Sequence, residues 1–206
     1  MKIIKAKSPG IVWKKLIKET LSNGLEIYDD QTKLTEITNV LIQINEPCST
    51  DSILKKNVDI EMLNWMKKNF LSQDPVENWG YSYGQRISNY LGENQIETIT
   101  KKLKKSLDSK SATITLSLPP EDKKHSPCVN IIDFKYRNNQ LNATVFMRSQ
   151  DVGKKAYADY ICLGIILDNL ANDINVKVGE LIIHVASLHI YEGDLNDLKT
   201  KFPDLF

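Results

Sequence analysis

The sequence predicts an α+β domain built on a mixed β-sheet with helices on one side. Amphipathic helical patterns and short β-branched runs coexist within 206 residues, about the size of one domain. The strand-like runs gather in the second half of the chain instead of alternating strictly with helices. Apolar residues make up 41% of the chain, enough to bury a core and too many for a disordered polymer.

Ile11–Leu21 carries apolar residues at helical spacing and ends at Asn23-Gly24, a favourable helix stop. Asn39–Asn45 is a short β-branched run halted by Pro47 and reads as a strand. Asp59–Leu71 returns to helix, with Ile60, Leu63, Trp65, Met66 and Phe70 as its apolar face. Asp74–Gly84 is an aromatic, glycine-bearing loop, and Ile96–Leu107 is an amphipathic helix with a lysine-rich polar face. Ala112–Leu118, Val129–Tyr136 and Leu141–Arg148 read as strands, the last two joined by an Asn138-Asn139 hairpin turn. Ala158–Leu170 is the most apolar helix and is expected to be central, and Val178-Gly179 reads as a turn into a long strand, Glu180–Tyr191.

Lys and Arg total 27 against 26 Asp and Glu, so a net charge of +1 gives no reason to expect nucleic acid or an anionic membrane as the main partner. The longest apolar run, Tyr160–Leu167, is too short to cross a bilayer, and the Met-Lys-Ile-Ile-Lys start has no signal-peptide character. Three cysteines, Cys48, Cys128 and Cys162, point to free thiols in a reducing, cytoplasmic setting, and they show no metal-ligand spacing with the three histidines. Only Arg86, Arg137 and Arg148 among the basic residues are arginine, the side chain that grips phosphate or carboxylate in a fork.

The stretch from Pro127 to Tyr191 is the informative one. Pro127-Cys128 opens a strand, Arg148-Ser149-Gln150-Asp151 follows, Asp159 lies eleven positions after Arg148, and His189-Ile190-Tyr191 closes the last strand. Upstream stand Tyr83-Gly84-Gln85-Arg86 and a helix running from Gln95 into Asp108-Ser109. In order and spacing this set resembles the thymidylate synthase superfamily over residues 80 to 195, in a form closer to its short archaeal-type members than to the long bacterial ones. The resemblance implies one thymidylate-synthase-like domain over residues 1–206 that pairs as a homodimer through its sheet face. It also implies a folate-dependent one-carbon transferase acting on a pyrimidine nucleotide, with 5,10-methylenetetrahydrofolate as co-substrate.

The chemistry requires such residues. C5 of a pyrimidine is a poor nucleophile until a thiolate adds to C6, and Cys128 is the candidate thiolate. A neighbouring cation raises the thiolate fraction, a role suited to Arg148. By resemblance Arg148 and Ser149 also hold the 5′-phosphate, Tyr83 lines the nucleophile's pocket, Asp151 contacts folate, and His189 with Tyr191 holds the sugar. Glu61 is the candidate general base, against the alternative of a solvated helix-face carboxylate. His184, five residues before His189, falls on the opposite strand face and reads as structural; His125 has no assigned role.

Four departures bear on the substrate. The base-reading position is Asn in thymidylate synthases and is Asp159 here, either as a base reader or as a helix N-cap. A protonated carboxyl donates to cytosine N3 and accepts from its amine, whereas a carboxylate facing uracil O4 is repelled. By resemblance, Asp marks the cytidylate and deoxycytidylate hydroxymethylase branch, in which water completes the transfer. The partner-donated phosphate loop reads Ser109-Lys110-Ser111, leaving Lys110 as a point charge without a fork. Gly153–Tyr157 replaces the family's apolar folate wall, and the chain stops fifteen residues after Tyr191, short of the long members' lid. A less shielded site suits hydration better than hydride delivery. Methylation of deoxyuridylate and a non-catalytic nucleotide-binding homologue are the alternatives.

Overall fold

Strand alternation and helical periodicity sort the chain into a sheet and the helices that cover it, in a computed structural model describing residues 1–76, 79–119, 121–123 and 125–206. The strands are β1 (Lys2–Ala6), β2 (Leu25–Asp29), β3 (Thr32–Ile44), β4 (Ala112–Thr115), β5 (Val129–Arg137), β6 (Gln140–Asp151) and β7 (Lys177–Tyr191). The helices are α1 (Pro9–Asn23), α2 (Ser52–Asn57), α3 (Ile60–Leu71), α4 (Tyr83–Ser88), α5 (Gln95–Lys105), α6 (Ala156–Asp173) and α7 (Leu195–Lys201). One sheet runs β1-β3-β7-β6-β5-β4, with β2 pairing β3 beyond the end of β1. It is mixed: β1/β3 and β6/β7 are parallel and the other pairs antiparallel.

Val40, Ile42 and Ile44 of β3, Ala143, Val145 and Met147 of β6, and Leu181, Ile183 and Val185 of β7 are buried on one face against the helices. Helix α6 is apolar nearly all round, as a central helix must be. It lies against the loop after β3, where a Cβ on Gly164 would stand 2.8 Å from the carbonyl oxygen of Pro47. Trp13 ties α1 to the β6–α6 loop: its indole donates to the Val152 carbonyl at 2.8 Å, and its ring meets Tyr157 and Phe202. The opposite sheet face is uncovered. Across it the register lines up Ile3, Leu41, His184, Phe146 and Ile131 in one row over five strands.

The expected helices and the β5–β6 hairpin are present, and Asn138 and Asn139 take the left-handed φ values of 53° and 62° that such a turn needs. Two expectations need correction. The strands do not cluster late, because β1, β2 and the first half of β3 belong to the same sheet. Their hairpin turns at Asp30-Gln31 without glycine, and the polar Thr32-Lys33 start of β3 hid it. Val178-Gly179 is not a turn but lies inside β7; the reversal is at Asn175, φ 57°. Gly179 is needed for close approach, since a Cβ there would meet the Asn142 amide oxygen at 2.2 Å.

One irregularity crosses the sheet. The β3/β7 pairs Thr38↔Ser187 and Val40↔Val185 skip Asn39, which has φ 56°. The β6/β7 pairs Met147↔Val185 and Ser149↔Ser187 skip Arg148, and the β5/β6 register shifts between Val129 and Ile131. Asn130 reinforces the pairing there, its side-chain oxygen accepting from the Arg148 amide at 3.0 Å beside the Cys128 carbonyl at 2.9 Å. Breaks of this kind bend strands and re-aim side chains. Past them, Ser149, Asp151, Ser187, His189 and Tyr191 line a cavity.

Asp51 joins two helix starts. Its Oδ2 accepts from the Ser8 hydroxyl and the Gly10 amide at the head of α1, and its Oδ1 accepts from the Leu54 amide of α2. Partial burial raises its pKa, but those donors outweigh it and leave the carboxyl below its ordinary value. Asp51→Ala is expected to cost about 2 kcal/mol, lowering the thermal midpoint by roughly 4–8 °C. The difference from wild type should be complete above the ordinary Asp pKa of about 4 and vanish as pH falls through the lowered folded value, readable in melts across pH.

Candidate active site

Cys128 sits at the mouth of β5, held there by Tyr83. The Tyr83 hydroxyl oxygen accepts from the backbone amides of Cys128 at 3.1 Å and Val129 at 3.5 Å. Tyr83 is itself fixed by Ser82 capping α4, by the Asn69 side-chain oxygen accepting from its amide at 3.1 Å, and by Phe70 edge-on at 4.7 Å. Burial, then Cys128 nearby, pushes this phenol well above its ordinary range, so it keeps a proton to donate.

Arg148 clamps the segment that carries the thiol. Its Nε donates to the Pro127 carbonyl at 3.1 Å, Nη2 to the Ser126 carbonyl at 2.8 Å, and Nη1 to the Ser149 hydroxyl at 3.2 Å. Ser149 donates in turn to Cys128 Sγ at 3.4 Å. The cation therefore reaches the sulfur through a hydroxyl, and two of the five guanidinium N–H donors remain for a ligand.

Asp159 lies in the first turn of α6. It is not the N-cap; that position is Lys155, which makes no side-chain cap bond. Only 5% of Asp159 is exposed, and Gln150 Nε2 donates to its Oδ2 at 3.2 Å. Burial raises its pKa to about 7, against the opposing pull of Gln150 and Lys155. A carboxyl so placed is partly protonated at neutral pH. His189 and Tyr191 meet edge to face at 4.9 Å, and burial keeps His189 below the usual histidine range and so uncharged at pH 7.

Cys128, Arg148, Ser149, Asp151, Asp159, Tyr83, His189 and Tyr191 all line one cavity of about 510 Å³, a volume suited to a small ligand. Two predicted residues lie elsewhere. Glu61 is exposed in the first turn of α3, where a negative charge complements the helix dipole; α3 faces the cavity with Met66 and Asn69 instead. Lys110 is exposed in the turn before β4 and does not line this cavity.

Other lining residues were not anticipated. Trp79 and His125 stack at 4.3 Å and 21°, forming a flat aromatic wall, and burial followed by Arg148 and Lys155 keeps His125 below its ordinary value. Glu36 of β3 accepts a hydrogen bond from Ser187. Ser187 was detectable, standing two residues before His189 on the same strand face; Glu36 was not, because only the β3/β7 register sets it opposite His189. His184 packs edge-on against Phe146 in the uncovered row, away from the cavity. Among the described residues, no group of three or more His, Cys, Asp or Glu is placed to hold a metal ion. No helix is long and apolar enough to cross a membrane.

The remaining thiols are subdued. Cys48 is exposed, yet desolvation by its neighbours, then Asp168, pushes it up to about 11 while its Sγ donates to the Gly164 carbonyl at 3.4 Å; burial, then Asp159, pushes Cys162 up to about 12. Iodoacetamide at neutral pH should label Cys128 at least about tenfold faster than either, as read by peptide mass mapping over time. Preferential labelling of Cys48 would contradict the assignment of the reactive thiol.

The sequence is matched by relatives. The family model described as "Thymidylate synthase" matches residues 11–203. A protein of Methanothermobacter thermautotrophicus named "Putative thymidylate synthase" is 31% identical over 203 residues, covering 90% of this chain and 91% of its own. A Methanosarcina mazei protein of the same name is 31% identical over 198 residues, covering 94% and 91%, and one from Methanocaldococcus jannaschii is 27% identical, covering 99% and 97%. With its thiol, clamp and buried acid gathered in one cavity and its sequence matched nearly end to end, this chain belongs to the thymidylate synthase family.

Proposed function

We propose that this chain transfers a one-carbon unit to C5 of a pyrimidine nucleotide, with cytidylate or deoxycytidylate as substrate and a 5-hydroxymethyl product. The observation that carries the reading is the shared cavity of Cys128 and Asp159, with the acid raised to about 7. Cys128 Sγ bonds to C6, and the C5=C6 electron pair moves to C5, where the new carbon–carbon bond forms. The C5 proton passes to one of the uncharged imidazoles lining the cavity, His125 or His189, since Glu61 lies outside it. The bond between the new carbon and the folate nitrogen then breaks, tetrahydrofolate leaving with that electron pair and taking up a proton; water adds to the exocyclic methylene left at C5, and the C6–S bond breaks to restore the thiolate. Arg148 holds the phosphate with its two remaining donors, Ser149 joins it by turning its single O–H from the sulfur to the phosphate, and His189 and Tyr191 hold the sugar.

Asp159 chooses the base. As an acid it donates to N3 and accepts from the C4 amine; a site wired for the other edge leaves buried polar groups unpaired, at about 1–3 kcal/mol each. The one-carbon unit comes from methylenetetrahydrofolate. The residues present fit such a co-substrate: the Trp79–His125 wall offers a face to a flat ring, and Asp151 and Lys155 stand beside it as polar and cationic anchors. The second reading, methylation of deoxyuridylate, is favoured by the names of the archaeal relatives.

Incubating the protein with methylenetetrahydrofolate and nucleotides tritiated at C5 separates the readings. Release from CMP or dCMP, absent in Cys128→Ser, is expected; release from dUMP alone overturns the cytosine reading, and no release above the Cys128→Ser level from any nucleotide overturns catalysis. Because the acid form reads cytosine, kcat/KM should fall about tenfold per pH unit above about 7. Asp159→Asn should move the preference to uracil nucleotides.

The same reading pairs two copies through the uncovered sheet face, which leaves Ile131 and Phe146 at 42% and 38% exposure, and brings the partner's Lys110 to the phosphate. Phe146→Asp should leave a monomer at micromolar concentration, as measured by sedimentation, with activity lost alongside.

A further inference from the structure

We infer that Gln150 and Tyr160 are specificity-determining residues: as a relay behind Asp159 they decide which of its two oxygens can carry the proton. The inference rests on Asp159 reading the base. Gln150 is 1% exposed and fills the variable position of the Arg148–Asp151 motif, and Tyr160 is fully buried and belongs to none of the motifs that first drew attention to the site.

A neutral carboxylic acid is ambiguous as a base reader. With the proton on the oxygen facing N3 it matches cytosine; with the proton on the oxygen facing C4 it matches uracil just as well. Something else must break the tie. Tyr160 donates its hydroxyl to Gln150 Oε1 at 2.7 Å. On the other side Gln150 Nε2 lies 3.2 Å from Asp159 Oδ2 and 3.4 Å from Met147 Sδ. A thioether only accepts, so the amide nitrogen, and not the oxygen, belongs on that side. Asp159 Oδ2 therefore always faces an N–H donor, and the proton resides on Oδ1. A donor at Oδ1 and an acceptor at Oδ2 is a fixed polarity, complementary to cytosine when Oδ2 stands beside the amine.

The titration of Asp159 also feels Lys155 and Asp151 at the β6–α6 junction, Tyr160 and Cys162 on α6, and Tyr83 from α4. Across the cavity stand Cys128, Arg148, His125, His189 and Glu36. Gln150 is the group that donates directly to the carboxyl, and its bond favours the charged form.

The test is the ratio of kcat/KM for C5–H exchange on CMP or dCMP over that on UMP or dUMP, across pH, for wild type, Tyr160→Phe and Gln150→Met. Tyr160→Phe frees the amide to turn over and move the proton to Oδ2, so the cytosine-to-uracil ratio should fall about tenfold or more. Gln150→Met should lower the ratio similarly and carry the alkaline limb of the cytosine profile to higher pH. If Gln150→Met does not fold, Tyr160→Phe, which removes a single oxygen, decides alone. A ratio within twofold of wild type, with rates on both bases changed equally, would mean the pair is merely structural and overturn the inference. Wild-type preference for uracil with the ratio still moved by Tyr160→Phe would overturn the cytosine reading and leave the relay standing.

Discussion

On β6, β7 and β3 the alternation that buries Val145, Val185 and Val40 continues in step to Ser149 and Asp151, to Ser187, His189 and Tyr191, and to Glu36. Asn39 and Arg148, which have no strand partner, and a register shift at Asn130 mark where core gives way to cavity. Beyond them, residues of three neighbouring strands turn toward one cavity while the same strands still bury Val40, Val145 and Val185 under the helices. At the register shift the Arg148 amide keeps the Cys128 carbonyl at 2.9 Å and adds the Asn130 side-chain oxygen, and the Tyr83 hydroxyl takes the amides of Cys128 and Val129. The Cys128 thiol is thus positioned where the sheet shifts register.

Electrostatics divides the cavity into two regions. Near the thiol, Arg148 is partly spent on the carbonyls of Ser126 and Pro127 and acts on the sulfur through Ser149. Around Asp159 the surroundings are drier, and charge is suppressed: burial raises Asp159 to about 7 and keeps Tyr160 and Tyr83 neutral. In the proposed reading, proton location, rather than net charge, carries recognition there. That requires a rigid frame, because a hydrogen-bond donor that could rotate would not distinguish two oxygens of one carboxyl. Complete burial of Gln150 and Tyr160 supplies it.

Much of the site was legible in the chain. Cys128, Arg148-Ser149, Asp151, Asp159 and His189-x-Tyr191 stand in local, regularly spaced patterns, and one cavity gathers all of them. Glu61 was misplaced because a helix-face glutamate and a cavity glutamate look alike until the helix is rotated into its packing; Met66 and Phe70 set that rotation. Gln150 stood at the unassigned position of the Arg148–Asp151 motif, and Tyr160 carried no motif at all. The early strands were missed because β1 and β2 are short, exposed edge segments without the continuous apolar run that marks a buried strand.

What the residues alone determined is an inventory: a thiol, a forked cation and an acid, each written in consecutive or regularly spaced positions. Tertiary structure decided which groups act together and in what protonation state. Glu36 meets His189 only through strand pairing, Trp79 meets His125 only across two loops, and the Asp159 proton depends on the depth of burial and on the direction of one amide. Desolvation and cross-strand register arise from residues distant in the chain, so no local pattern encodes them.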